Sequence, residues 1–205
     1  MKDLLSPVAR YYTEKLQQHG TQPRGVDWNG VDGQLLRFSQ LCKVLDVGRP
    51  FSVADIGCGY GALFDFLEAL DKRFEYVGVD ISAAMIDAAK ALYAGKPQAS
   101  FVVGTEPLAP VDFAIASGIF NVRLNSDAHE WRTYIETTLD MMHRVTRHGF
   151  SFNCLTAYSD PDKIRPDLHY ADPCALFDLC KRKFSRNVAL LHDYDLYEFT
   201  ILVRK

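Results

Sequence analysis

The segment Val53-Ala54-Asp55-Ile56-Gly57-Cys58-Gly59-Tyr60-Gly61 constrains the fold of this 205-residue chain more than any other stretch. It is an apolar run that carries an acid near its end, then three alternating glycines, and it leads directly into a helical pattern from Tyr60 to Leu70. Strand, tight turn and helix in that order begin an α/β unit. The glycines let the backbone turn sharply and let a ligand approach without side-chain obstruction. The spacing is GxGxG, whereas the dinucleotide fingerprint is GxGxxG and seats a pyrophosphate on a helix N-terminus. Asp55 adds an anion just before the first glycine, where a phosphate would be repelled and an ammonium group attracted.

The rest of the chain extends the same rhythm. Ser52 to Ile56, Glu75 to Val79, Ser100 to Val103, Val111 to Ala116 and Phe150 to Cys154 read as short buried strands. Tyr60 to Leu70, Ala83 to Tyr93, Asp127 to Thr146 and Ala171 to Lys183 read as helices. Such alternation specifies a mostly parallel sheet with helices on both faces. Val188 to Leu191 and Leu196 to Val203, separated by His192-Asp193-Tyr194-Asp195, form a C-terminal antiparallel hairpin. The expected fold class is therefore α/β, a Rossmann-like sheet of seven strands closed by that hairpin. Residues 1–48 carry no strand pattern. A helix runs through Leu4, Leu5, Val8, Tyr11, Tyr12 and Leu16 and stops at His19-Gly20; Thr21 to Gly33 is an irregular loop around Trp28; Gln34 to Val47 is helical again. They read as a helical N-terminal extension or lid on a single domain spanning 1–205, a length that one core can serve.

A second acid, Asp80, ends the strand Tyr76-Val77-Gly78-Val79 about twenty residues beyond the glycine turn. A carboxylate there can accept hydrogen bonds from both hydroxyls of a ribose, so it marks a nucleoside. Its other possible role, a helix N-terminal acid before Ala83, is one that Ser82 can fill as the cap. Together VADIGCGYG, YVGVDIS, the strand FVVG and the strand VDFAIASGIF resemble the motifs of the class I S-adenosylmethionine-dependent methyltransferases, strongly from Phe51 to Phe120 and by topology beyond. The resemblance implies S-adenosylmethionine as cofactor and S-adenosylhomocysteine as product. It also implies contacts from Asp55, Gly57 and Gly59, with Cys58 between them, to the methionine moiety, from Asp80 to the ribose, from Ile81 to the adenine face, and from the Ser117 backbone near the sulfonium. One departure stands out: where many members carry an acid after the third strand for the adenine amino group, this chain has Gly104-Thr105-Glu106. The adenine contact is left to Thr105, to backbone, or to neither.

In an open parallel sheet, ligands lie beyond the C-terminal strand ends, which directs the search for an acceptor to Ser117 through Arg123 and to later loops. Asn121-Val122-Arg123 is not the Asn-Pro-Pro-aromatic pattern of amino-group methyltransferases acting on DNA or glutamine. Arg123 is either a carboxylate- or phosphate-binding fork or a surface residue. Trp28 is either the lid residue of the loop His19 to Asn29 or a packing anchor. In the loop Tyr158 to Asp172, His169 and Tyr170 are the side chains most able to orient or deprotonate an acceptor, and are the catalytic candidates. A sulfonium methyl is already activated, so alignment and exclusion of water can supply much of the acceleration without a marked base.

A formal net charge of -3 gives no general attraction to a polyanion, and the basic run Lys181 to Lys183 reads as the last turn of a helix. Nucleic acid is thus not expected as a partner, and a small-molecule acceptor is. Cys42, Cys58, Cys154, Cys174 and Cys180 are odd in number, without CxxC spacing, and read as reduced, mostly buried thiols. Neither they nor the six scattered histidines form a metal pattern, so no metal is expected. No apolar run is long enough to span a membrane, and Met1 to Leu16 mixes charges into its apolar positions instead of forming an apolar h-region, so a cytoplasmic location is expected. Oligomeric state is left open. The alternatives carried with the small-molecule enzyme are an RNA or protein methyltransferase of the same fold, a non-catalytic S-adenosylmethionine-binding module, and an NAD-dependent oxidoreductase.

Overall fold

A computed structural model describes residues 2–28, 30–70 and 73–205. Helices α1 (Lys2–His19) and α2 (Val31–Leu41) precede β1 (Phe51–Ile56), α3 (Ala62–Ala69), β2 (Phe74–Asp80), α4 (Ala83–Leu92), β3 (Ala99–Val103) and β4 (Val111–Ala116). Then come α5 (Ala128–Val145), β5 (Thr146–Thr156), β6 (Tyr170–Ala171), α6 (Pro173–Lys183), β7 (Asn187–Leu191) and β8 (Glu198–Arg204). The sheet order is β3-β2-β1-β4-β5-β8-β7, parallel from β3 through β5 and antiparallel at β8 and β7. The expected seven-strand path is present. The two-residue β6, absent from the sequence reading, adds an eighth strand beside the end of β5, with Leu155 opposite Tyr170 and Thr156 opposite Ala171.

The inner strands β1, β4, β5 and β8 are buried on both faces, which is why they read as near-continuous apolar runs, while the outer β3 and β7 are only partly covered. Successive residues still point to opposite sides. Ala54, Ile56, Ala114, Phe150 and Phe152 pack with α1, α5 and α6, while Phe51, Val53, Phe113 and Ile115 pack with α2, α3 and α4. Between β3 and β4 the strand–helix rhythm lapses: residues 104–110 cross without a helix. On that face Leu5 and Val8 of α1 join the core beside Ile56 and Val79. The N-terminal helix thus supplies apolar cover where the crossover supplies none.

Several boundaries differ from expectation, β5 among them, which spans Thr146–Thr156 where Phe150 to Cys154 was expected. The second helix was expected over Gln34 to Val47, but α2 spans Val31–Leu41 and a 3-10 turn, Cys42–Val44, takes over. An acid at Asp32 favours the earlier start by facing the positive helix end, whatever the apolar periodicity says. The loop between α1 and α2 contains a 3-10 turn, Pro23–Val26, and Asp27 closes it at φ 62°. Asn29, the last residue of the expected lid loop, lies outside the described residues. The link from β7 to β8 is 192–197, longer than a tight hairpin turn, with Asp195 at φ 55°.

Candidate functional site

The end of β1 is built by backbone constraint. Gly57 and Cys58 donate their N–H groups to the Val79 carbonyl at 2.8 and 3.1 Å, binding the glycine turn to the end of β2. Gly57 sits at φ +74°, and a Cβ there would fall 2.2 Å from the Ile119 side chain. Only glycine meets both demands. Asp80 closes the turn from the other side: Gly59 N–H donates to its Oδ2 at 2.9 Å and Ser82 N–H to its Oδ1 at 2.8 Å. Ser82 also caps α4 by accepting from Met85 N–H, as read from the sequence, which releases Asp80 from that duty. Both Asp80 oxygens keep lone pairs for further donors.

Asp55 is 3% exposed and accepts one hydrogen bond, 2.7 Å from the Tyr76 hydroxyl. Burial raises its pKa from the usual carboxylate range to about 7; the Tyr76 bond opposes that rise and the Asp80 charge adds to it. Burial also pushes Asp80 upward, against the pull of its backbone donors. Two carboxylates strained toward neutrality in one cavity form a site that gains from a cationic or multiply donating ligand.

That cavity and its mouth together hold about 1050 Å³ of atom-free space, open solvent included. It gathers most of the sequence candidates: Asp55, Gly57, Cys58, Gly59, Asp80, Ile81, Thr105, Ser117 and Trp28 all line it. Burial drives the Cys58 thiol well above its usual range, so it is a neutral, apolar wall. The Ser117 hydroxyl is buried and without a hydrogen-bond partner. The loop after β3 offers no acid here, because Glu106 pairs with Arg144.

The lining also contains residues the sequence reading missed. Tyr134 and Thr138 face it from α5, Gln34 and Phe38 from α2, and Leu5, Val8 and Tyr12 from α1. The first two pairs are spaced i,i+4, which puts each pair on one helix face. Hydroxyls at 134 and 138 within the apolar stripe Trp131, Ile135, Leu139 were the available signal. Helix α1 roofs the cavity and is pinned at its far end: Thr13 and Ser82 share a 2.9 Å hydrogen bond, and Asp27 accepts from Tyr11 and Lys15, each at 2.7 Å.

Four candidates lie outside this lining. Asn121 is buried, and its Oδ1 accepts from Leu155 N–H at 3.0 Å, stitching the loop after β4 to β5. Arg123 donates to the Ser126 carbonyl at 2.7 Å and to the Pro166 carbonyl, so its fork is held by its own loops. His169 donates its backbone N–H to the Asn121 carbonyl at 2.8 Å. Burial and the Arg123 charge keep its imidazole below the usual histidine range. The Tyr170 hydroxyl donates to the Lys163 carbonyl and accepts from Arg165 N–H, both at 3.0 Å.

A methyltransferase domain model matches residues 53–149, the span from β1 into β5. The Mycobacterium tuberculosis (strain ATCC 25618 / H37Rv) protein named "Putative methyltransferase Rv1506c" is 55% identical over 163 residues, covering 80% of this chain and 98% of that protein. Among solved structures, the DhpI complex with S-adenosylhomocysteine aligns at TM-score 0.68 and 12% identity over 98% of this chain and 97% of that one. An S-adenosylmethionine-dependent methyltransferase from Aquifex aeolicus aligns at TM-score 0.64 and 14% identity over 94% and 97% of the two chains. With the glycine turn, the two strand-end carboxylates, the strand order and a close relative in agreement, this chain belongs to the class I S-adenosylmethionine-dependent methyltransferases.

Proposed function

We propose that the chain methylates a small-molecule acceptor inside the cavity roofed by α1. The observation that carries this reading is the enclosure. Helix α1, the Pro23–Val26 turn and Trp28 lie over the strand ends, and among the described residues no lysine or arginine lines the space beneath. A polymer has no open, basic track there to follow. The N-terminal extension, residues 1–48, accordingly acts as the lid.

The residues present suit the cofactor. Gly57 leaves a cradle that a side chain would fill, Asp55 and Asp80 hold unspent acceptor capacity, and the Ser117 hydroxyl has no protein partner. In this assignment Asp55 accepts from the ligand ammonium beside the backbone of Gly57 to Gly59, with Cys58 as a neutral wall. Asp80 accepts from the ribose hydroxyls, Ile81 packs on the adenine face, and Thr105, with Tyr134 and Thr138, surrounds the base edge. Ser117 lies by the sulfonium and Trp28 by the acceptor. When bound, the cofactor would supply an activated sulfonium methyl for transfer to an acceptor lone pair, leaving S-adenosylhomocysteine. The protein contributes alignment and dryness. His169 and Tyr170 stand outside the cavity lining, so no base is assigned to them.

The test is a thermal-unfolding shift with S-adenosylhomocysteine and S-adenosylmethionine, with NAD as control, followed by transfer of isotopically labelled methyl to a panel of small molecules, RNA and proteins. Ligand at a hundred times its dissociation constant adds about 2.7 kcal/mol of stability. Label recovered in small molecules supports the reading. Label found only in RNA or protein overturns it.

A further inference from the structure

Behind the acceptor end of the cavity, five residues form a closed ring of contacts. The Arg37 guanidinium stacks on the Trp28 indole, 4.0 Å from the ring centroid. Its Nε donates to both Glu198 oxygens at 2.9 Å, and Glu198, on β8 between β5 and β7, is 1% exposed. Glu198 also accepts from Asn153 Nδ2 at 2.6 Å, and the fully buried Asn153 accepts from Gly118 N–H at 2.8 Å. Gly118 returns to Trp28: at φ +76°, a Cβ on it would sit 2.6 to 2.7 Å from the benzo edge of the indole.

The ring has two consequences. The indole is clamped by a cation on one face and a backbone at its edge, so a flat surface toward the cavity is held in place. The cation stacked on the indole, Arg37, is engaged by a buried carboxylate. Val26, Phe38, Ile119, Gln34 and Tyr60 line the same cavity as Trp28, and none of them is charged at neutral pH. The two lining carboxylates, Asp55 and Asp80, are taken by the cofactor in the assignment above, on which this inference rests. An anionic acceptor would lose its water and find no cation among the described lining residues, a cost that an uncharged molecule avoids. We infer that the acceptor is an uncharged planar molecule stacked on Trp28, and that Arg37, Glu198 and Asn153 are positioning residues that hold that platform and keep it electrically neutral.

The experiment uses the full chain saturated with S-adenosylhomocysteine and titrates 2-naphthol and 2-naphthoate, equal in ring and opposite in charge state at neutral pH, by calorimetry. Naphthol is expected to bind with about a tenfold lower Kd than naphthoate, the scale of one uncompensated charge-assisted contact. Trp28→Ala should weaken naphthol about tenfold, and Trp28→Phe, which keeps a ring on a half-exposed lid and does not threaten folding, should restore much of it. Glu198→Gln keeps the shape of the ring and leaves the Arg37 charge uncancelled, so it should shift the preference toward naphthoate. A merely structural Glu198 would lower Tm without moving that preference. Equal binding of the two probes, binding of neither up to the solubility limit, or naphthol affinity unchanged in Trp28→Ala would overturn the inference. Failure to bind S-adenosylhomocysteine at all would instead sink the cofactor assignment.

Discussion

On the cofactor assignment proposed above, Asp55 links ligand affinity to pH, and its burial sets the midpoint. In the free protein its carboxyl titrates near 7, because it is buried with the Tyr76 hydroxyl as its one hydrogen-bond donor. An ammonium group pairs with the ionised form, so binding must first remove a proton wherever the pH lies below that value. For a ligand selecting the ionised form, the apparent Kd grows as the protonated fraction grows: with a pKa of about 7, it rises about elevenfold at pH 6 and about a hundredfold at pH 5 above its alkaline limit. The same group bears on stability with a definite sign. Its native pKa lies above the 3.8 of an unperturbed aspartate, so the folded state holds the extra proton between about pH 4 and 7. Stability of the unliganded protein therefore falls as pH rises through that window, with a limit of about 4 kcal/mol lost above it. Asp55→Asn keeps an oxygen for Tyr76 but cannot ionise. Unliganded, it should melt above the wild type at pH 8, with the gap closing toward pH 4, while its affinity for S-adenosylhomocysteine should be weak and flat with pH. Calorimetric titration from pH 5.5 to 8 reads the first effect and scanning calorimetry the second. A wild-type Kd that does not move across that range, or full affinity in the variant, refutes the reasoning.

Three further outcomes follow from the same site. Tyr76→Phe removes the donor that lowers the Asp55 pKa, so the midpoint of the pH–affinity curve should move to higher pH; a downward or absent shift, read in the same titration, would deny that the bond acts on Asp55. Asp80→Ala leaves the N–H groups of Gly59 and Ser82 without their partner, at about 1–3 kcal/mol for each unsatisfied buried group, and should abolish the thermal shift with S-adenosylhomocysteine. Gly118→Ala places a methyl within 2.7 Å of Trp28 at a positive φ, which should cost about 1–3 kcal/mol of stability and move the Trp28 emission; an unaltered spectrum would show that the indole is not clamped.

Much of this molecule can be read without coordinates, and the reason is the local character of the signals. Alternating strand and helix patterns, the glycine turn and the acids Asp55 and Asp80 are each written within a few consecutive residues, and the backbone at Gly57 leaves no other residue type that satisfies both φ and the nearby Ile119. The acceptor side was not legible in the same way. Asn121, Arg123, His169 and Tyr170 carry versatile groups on loops near the strand ends, yet tertiary contacts tie three of them to backbone partners and leave all four outside the cavity lining. The side chains facing the cavity from α1, α2 and α5 come from segments far apart in the chain, and their apolar periodicity says that a face is buried without saying against what. The sequence by itself determined the alternation of strands and helices, the C-terminal hairpin and the glycine turn, because those follow from short-range periodicity and backbone sterics. Only the tertiary structure decided which helix roofs the cavity, that Arg37 spends its charge on Glu198, and that Asp55 titrates near 7, because each depends on burial and on partners that chain distance conceals.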